Sequence, residues 1–235
     1  MSSGISPHRS QQRTDFLSWS RLSLPTFITQ KNKVLAGVIL SVISVALYLL
    51  SNHYPIFKPR MLPMTWIDER VPFVPQTIFI YLSEYFLFGF VYFFAKDMKN
   101  LNKYIYSFLF LQTFSVIVFL LFPTTYPRDR FPLTPDLDAW TVYFFSGLRS
   151  ADSPNSCMPS LHVSSCYLSA FVYLDEQREK FPIFFLWATA VGVSTLTTKQ
   201  HYIADVFAGL VTAIFFYWFV HHWSTYRPLK ELLKR

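Results

Sequence analysis

The stretch HYIADVFAGLVTAIFFYWFV, residues 201–220, decides how this chain folds. From Tyr202 to Val220 it carries one formal charge, Asp205, and is close to the ~20 residues a helix needs to cross about 30 Å of hydrocarbon. A backbone in hydrocarbon has to satisfy its own polar groups, so the run is expected to be helical. Five similar runs precede it, near Val34–Leu50, Thr77–Ala95, Tyr104–Phe122, Pro159–Leu174 and Pro182–Thr198. The sequence therefore predicts an all-α, polytopic membrane bundle of six transmembrane helices.

Composition agrees with that reading. Apolar residues make up 52% of the 235 positions, aromatics 20% and charged residues 15%, well below the charge of a soluble domain. The net charge of +7 sits in short segments beside the apolar runs, where topology and anionic head groups account for it. No nucleic-acid module is visible, so nucleic acid is not an expected partner. Cys157 and Cys166 would stand about 13 Å apart on a helix, too far for a disulfide, and are read as free thiols. The first apolar run begins late for a cleavable signal and has no clear small-residue cleavage site, so it reads as a retained span.

Three segments are expected along the chain: a cytoplasmic or interfacial tail (1–33), a membrane catalytic domain (34–225) and a basic tail (226–235). Within the first, Phe16, Leu17, Trp19, Leu22 and Leu24 suit either a short interfacial helix or a disordered tail. With six spans, about 14 of the 21 Lys and Arg residues fall on the side of the termini, which places both termini in the cytoplasm. Span three then ends, and spans four and six begin, on the opposite side.

That parity brings three polar segments to one membrane face. Pro123-Thr124-Thr125-Tyr126-Pro127-Arg128-Asp129-Arg130 follows span three. Asn155-Ser156-Cys157-Met158-Pro159-Ser160-Leu161-His162 opens span four, and Lys199-Gln200-His201-Tyr202-Ile203-Ala204-Asp205 opens span six. His201 and Asp205 are four apart, hence on one helix face. A carboxylate on one imidazole nitrogen leaves the other basic, as a histidine nucleophile requires. The bland alternative for Asp205 is a residue that only complements the helix dipole; ionisable groups inside spans are functional more often than not. His162, alone, would be interfacial filler, but Ser160 and a helix N-terminus beside it suggest a phosphate cradle. Arg128 is a natural bidentate phosphate partner, and Arg130 is a weaker candidate that suits a plain loop charge equally well. Glu84 either bonds a neighbouring helix or lines the pocket. Asp68, Glu69 and Arg70 contact a head group or only each other. His221 and His222 read as interface anchors.

At these residues the sequence resembles the type-2 phosphatidic acid phosphatase superfamily of membrane enzymes. Pro159-Ser160-Leu161-His162 is similar to its Pro-Ser-Gly-His motif, with Leu161 where Gly is common. His201-x3-Asp205 is similar to the end of its Ser-Arg-x5-His-x3-Asp motif. The His-Tyr-x-x-Asp form looks like the branch that includes sphingomyelin and inositol phosphorylceramide synthases. The resemblance covers roughly residues 65–220. Two features depart from it. The Lys-x6-Arg-Pro motif has only Pro127-Arg128 as a counterpart, and Thr195 stands where the second motif has Arg, with Lys199 a possible substitute.

The resemblance implies a lipid phosphatase working through a phosphohistidine at the outer membrane face. His201, oriented by Asp205, would attack phosphorus and His162 would protonate the leaving oxygen. Arg128, Ser160, Lys199 and Arg130 would bind the phosphate. No cofactor and no metal enter this scheme. The expected partners are a lipid phosphate and the bilayer, in the cell (inner) membrane with the site on the non-cytoplasmic side; oligomeric state is open. The alternative within the superfamily is a head-group phosphotransferase of the sphingomyelin or inositol phosphorylceramide synthase type, with an alcohol in place of water. Outside it stand a metalloenzyme with His162, His201 and Asp205 as ligands, and a transporter or scaffold.

Overall fold

The computed structural model describes residues 22–228. The chain is mostly helical. A strand β1 (Leu22–Thr26) leads to helix α1 (Lys33–His53); β2 (Arg60–Met61) and α2 (Trp66–Arg70) follow. Next come α3 (Ile78–Leu82), α4 (Glu84–Phe94) and α5 (Met98–Leu121). After β3 (Thr124–Thr125), α6 (Ala139–Ala151) and α7 (Leu161–Asp175) come α8 (Phe181–Thr197), α9 (Ile203–Trp223) and β4 (Ser224–Pro228), the last of the described elements.

Among the described residues, five helical segments are long and apolar enough to cross a membrane: Lys33–His53, Pro75–Phe94, Met98–Leu121, Arg178–Thr197 and Ile203–Trp223. The predicted fourth span is α7, a helix of 15 residues and hence about 22 Å. Every residue of α7 from Val163 to Tyr173 is buried, against α4, α5, α8 and α9. Because other helices sheathe it, bilayer thickness does not set its length. Small residues make the sheathing possible, since Ser164, Ser165, Ser169 and Ala170 let neighbouring backbones approach. Ser169 also meets the Tyr104 hydroxyl at 2.8 Å, and Tyr167 meets Thr189 at 3.0 Å.

Helix α1 is the converse. Its only buried residues are Lys33, Ser51 and Asn52, while Val34, Leu35, Ile39 and Ile43 are all exposed. Polar groups in and apolar groups out is the pattern of a helix solvated by lipid. The predicted second span is interrupted at Ser83, between α3 and α4. The Ser83 hydroxyl donates to the Ile80 carbonyl at 2.6 Å and accepts from the Trp187 indole N–H at 2.8 Å.

Leu22 and Leu24, placed by sequence in a candidate interfacial helix or disordered tail, belong instead to β1, which pairs in parallel with β4. Asn102 fixes the chain beyond β1: its amide oxygen accepts from the Phe27 and Ile28 N–H groups at 2.9 and 3.0 Å. Phe16, Leu17 and Trp19 lie outside the described residues. Helix α6, not foreseen from sequence, is capped by Asp138, whose carboxylate accepts from the Thr141 N–H at 2.9 Å. It buries Phe145 against Ile78 and Tyr81 while Trp140 and Tyr143 stay exposed.

The first turns of α7 and α9 meet closely. The Ser160 N–H donates to the Asp205 carbonyl at 3.1 Å. A Cβ on Gly209 would lie 2.7 Å from the Ser160 carbonyl oxygen and 3.2 Å from Val163 Cβ. Backbone cannot yield as a flexible side chain does, so Gly209→Ala is expected to lower stability by about 1–3 kcal/mol, and Gly209→Val by more. Gly89, where an added Cβ meets nothing within 4 Å, is the control, and Gly89→Ala should leave the melting temperature in detergent unchanged or raised.

Candidate active site

His201 lies in the turn between α8 and α9. Asp205, in the first turn of α9, takes the Tyr202 N–H at 2.9 Å, and the same oxygen lies 3.3 Å from His201 Nδ1. Asp205 is fully buried and its Oδ1 has no hydrogen-bond partner among the described residues. An anchored carboxylate on Nδ1 favours the tautomer with the proton there and leaves Nε2 as the basic nitrogen.

His162 stands one residue inside α7, with its ring centroid 5.9 Å from that of His201. It too has a carboxylate. Glu84 Oε1 lies 3.2 Å from His162 Nε2, and the Tyr81 hydroxyl lies 2.7 Å from the same nitrogen. Nδ1 has no hydrogen-bond partner among the described residues. Glu84 therefore does bond across helices, from α4 to α7. Sequence missed Tyr81; its one signal was a spacing of three from Glu84, which places both on one helical face.

Arg128 sits in a 3₁₀ turn, Arg128–Arg130, and is buried. Its guanidinium donates to the Asp152 carbonyl and the Asp152 carboxylate, each at 2.6 Å, and Nε has no partner among the described residues. Burial works against the guanidinium charge and Asp152 more than offsets it, so the pKa moves up. The Tyr48 hydroxyl donates to the other Asp152 oxygen, and the Tyr48 ring meets His162 edge-on at 6.3 Å. Arg128 thus joins the histidines through Asp152 and Tyr48, two residues that the sequence did not single out. Arg130 is exposed and takes part in none of these contacts.

Ser160 is fully buried, and its hydroxyl caps α7 by accepting from the Val163 N–H at 3.3 Å. The N–H groups of Leu161 and His162, in the first turn of α7, have no carbonyl of their own helix to bond. Lys199 is also committed. Its ammonium donates to the carbonyls of Asp68 and Val71 at 2.8 and 2.6 Å. Burial lowers its pKa, and Asp68 pulls in the opposite direction. Lys199 has φ of 55°, a left-handed conformation that costs a non-glycine residue about 1 kcal/mol or more. Asp68 completes the clamp by accepting from the Ile203 N–H at 2.7 Å and closing a capping box with Thr65.

Both cysteines are free and buried. Burial pushes the Cys157 thiol well up, which keeps it protonated and unreactive. Its sulfur and the ligand atoms of His201 and Asp205 lie within 4.8 Å of one another. That soft-ligand group differs from the His162, His201, Asp205 set considered from sequence.

A search of curated proteins and of solved structures finds no match to the chain. A family profile, that of the PAP2 superfamily, matches residues 57–219. That interval is well over half of the chain and contains both histidines, their carboxylates, Arg128 and Asp152, and on it the protein belongs to the PAP2 superfamily, the type-2 phosphatidic acid phosphatases and their relatives.

Proposed function

We propose that this protein is a multi-pass membrane phosphatase that hydrolyses the phosphate ester of a lipid through a phosphohistidine, without a metal ion. Members of the superfamily are phosphatases and phosphotransferases acting on lipid phosphates. The observation that carries the reading is the pair of imidazoles whose ring centroids lie 5.9 Å apart, each with its own buried carboxylate.

His201 attacks phosphorus through Nε2, and Asp205 holds the ring and stabilises the charge it acquires. His162 delivers a proton from Nδ1 to the leaving lipid oxygen while Tyr81 and Glu84 hold Nε2. Opposite nitrogens thus carry the chemistry on the two rings. The phosphoryl oxygens take the free N–H groups at the start of α7 and the unpartnered Nε of Arg128. Ser160 and Lys199 act one step back, the first by starting α7 and the second by fixing the turn that presents His201. Arg130 steers anionic lipid to the face from outside. Water then attacks the phosphohistidine and His162 takes its proton; an alcohol in place of water would make the same site a head-group transferase.

The membrane arrangement belongs to the same proposal. Counting α7 as a sixth crossing puts both termini in the cytoplasm, as the Lys and Arg distribution favours, and opens the site on the other side of the cell membrane. Residues 34–225 form the catalytic unit, with residues 1–33 and 226–235 as cytoplasmic ends.

Pure protein in detergent should release inorganic phosphate from phosphatidate, lysophosphatidate or a polyprenyl phosphate. His201→Ala should abolish release and the acid-labile phosphoprotein formed from labelled substrate. His162→Ala should cost about 10²–10⁴-fold in rate. Normal turnover in His201→Ala would overturn the mechanism, and a lipid product that needs an added alcohol would replace hydrolysis with transfer.

Glu84→Gln keeps the shape and removes the charge beside His162. It is expected to lower kcat by about 10–100-fold, the usual cost of losing a partner that orients a reacting group, with KM nearly unchanged. Equal loss in kcat and in thermal stability would reduce Glu84 to a packing residue.

A further inference from the structure

A cavity of 510 Å³ lies between α1, α4, α5 and α7. His162, Glu84 and Tyr48 line one end of it; Gly37, Tyr92 and Phe93 line the other. From Gly37 to Tyr48 the helical rise is about 16 Å, so the cavity is a shaft reaching roughly halfway into ~30 Å of hydrocarbon. Its wall is largely apolar. Two of its polar side chains, Ser44 and Gln112, satisfy each other at 2.6 Å, and Gln112 also donates to the Ser44 carbonyl at 2.7 Å.

The far end is closed. The Tyr92 hydroxyl donates to the Lys33 carbonyl at 2.7 Å, and the Lys33 ammonium donates to the Phe93 and Ala95 carbonyls at 2.9 and 3.0 Å. The Tyr92 ring presses so near Gly37 that an added Cβ would meet it at 2.7 Å. At 510 Å³ over ~16 Å of helix its open cross-section averages about 30 Å², room for an extended hydrocarbon chain. It suits a slender apolar occupant. One end of that occupant touches His162, because His162 is part of the wall.

We propose that this shaft holds one linear hydrocarbon chain of the lipid phosphate, with Tyr92 as its floor, and so makes the enzyme selective for chain length. The proposal rests on the reading of His162 and His201 as the phosphate site. Its outer wall, α1, precedes the residues matched by the family profile, so the chain length preferred here is set by a helix outside the matched region. Ser41 lies on that wall, is exposed, and is remote from the phosphate-binding groups.

The test uses the full chain in detergent and a series of butyl, octyl and dodecyl phosphates, with binding read as a ligand-induced thermal shift. Wild type should bind dodecyl phosphate at least about tenfold more tightly than butyl phosphate. Ser41→Phe should bring dodecyl phosphate down to the butyl level while leaving butyl phosphate and inorganic phosphate unchanged. Partition of the longer ligand into micelles is common to both proteins, so the variant isolates the shaft. Val38→Trp, nearer the floor, should weaken dodecyl but not octyl phosphate, and it serves if Ser41→Phe folds poorly. Dodecyl affinity unchanged in folded variants would overturn the proposal. Phosphate release measured on the same samples separates the two readings. Chain-dependent binding without release would leave the shaft and remove hydrolysis, whereas release indifferent to chain length and to Ser41→Phe would remove the shaft alone.

Discussion

The geometry of the site hangs on one seam, where the Ser160 N–H meets the Asp205 carbonyl at 3.1 Å and Gly209 lets the two backbones come together. Ser160 is the cap of α7 and Asp205 lies in the first turn of α9. Their contact fixes how the starts of two helices stand beside each other, and His162 follows the first while His201 precedes the second. An ordinary helix crossing keeps axes 8–10 Å apart, with side chains between them. Here a missing side chain replaces that layer, so the two imidazoles converge from separate helices without either leaving its own turn.

The charged residues of the outer segments are spent largely on holding that seam in place. Lys199 donates two hydrogen bonds to carbonyls of the 68–71 segment, and Asp68 accepts one from the start of α9. Arg128 and Tyr48 share Asp152. Lys199, Asp68, Arg128 and Asp152 are all buried, so an unpaired charge there would cost several kcal/mol, and pairing is the condition for its presence. The pairs also tie α1 and the outer loops to the bundle core, which the weak grip of α1 on its neighbours would not do alone. Removing Asp152 would therefore leave a buried guanidinium without its anion and remove one tie of α1, while Asn52 still holds Ser153 through two hydrogen bonds.

The apolar runs were legible because lipid imposes length and composition on any helix it touches. The boundaries of α1, α8 and α9 fall within a few residues of the runs read from sequence, and α5 begins six residues before Tyr104. What lipid does not touch was harder to see. Helix α7 is less apolar than α4, α8 and α9 yet more deeply buried, because its neighbours sheathe it, and hydropathy does not separate protein-facing from lipid-facing surface. The spacing of His201 and Asp205 was local, and the structure places them in contact. The partners Tyr81 and Glu84 of His162, and the links Tyr48–Asp152 and Lys199–Asp68, join positions some 80 to 130 residues apart. Only the packed bundle brings those into register. The Lys199 side chain looked free to meet phosphate because nothing local consumes its protons; the consumers are carbonyls, which sequence composition does not advertise.

The two carboxylate–imidazole pairs differ in a way that bears on their proposed roles. Asp205 is held by a backbone N–H and sits four residues from its histidine on the same turn, so that pair is rigid by local geometry. Glu84 comes from a different helix, beside a break at Ser83, and shares its nitrogen with a phenol. A nucleophile has to hold one ring direction while phosphorus moves through it, which favours the first arrangement. A group that gives up a proton in one step and takes one back in the next benefits from a partner that tolerates both states. A carboxylate and a hydroxyl oxygen on the same nitrogen do that, because Nε2 keeps its proton in both states and both oxygens can accept from it while Nδ1 loses and regains its own. The asymmetry supports the proposed roles, attack at position 201 and proton transfer at position 162, independently of motif order.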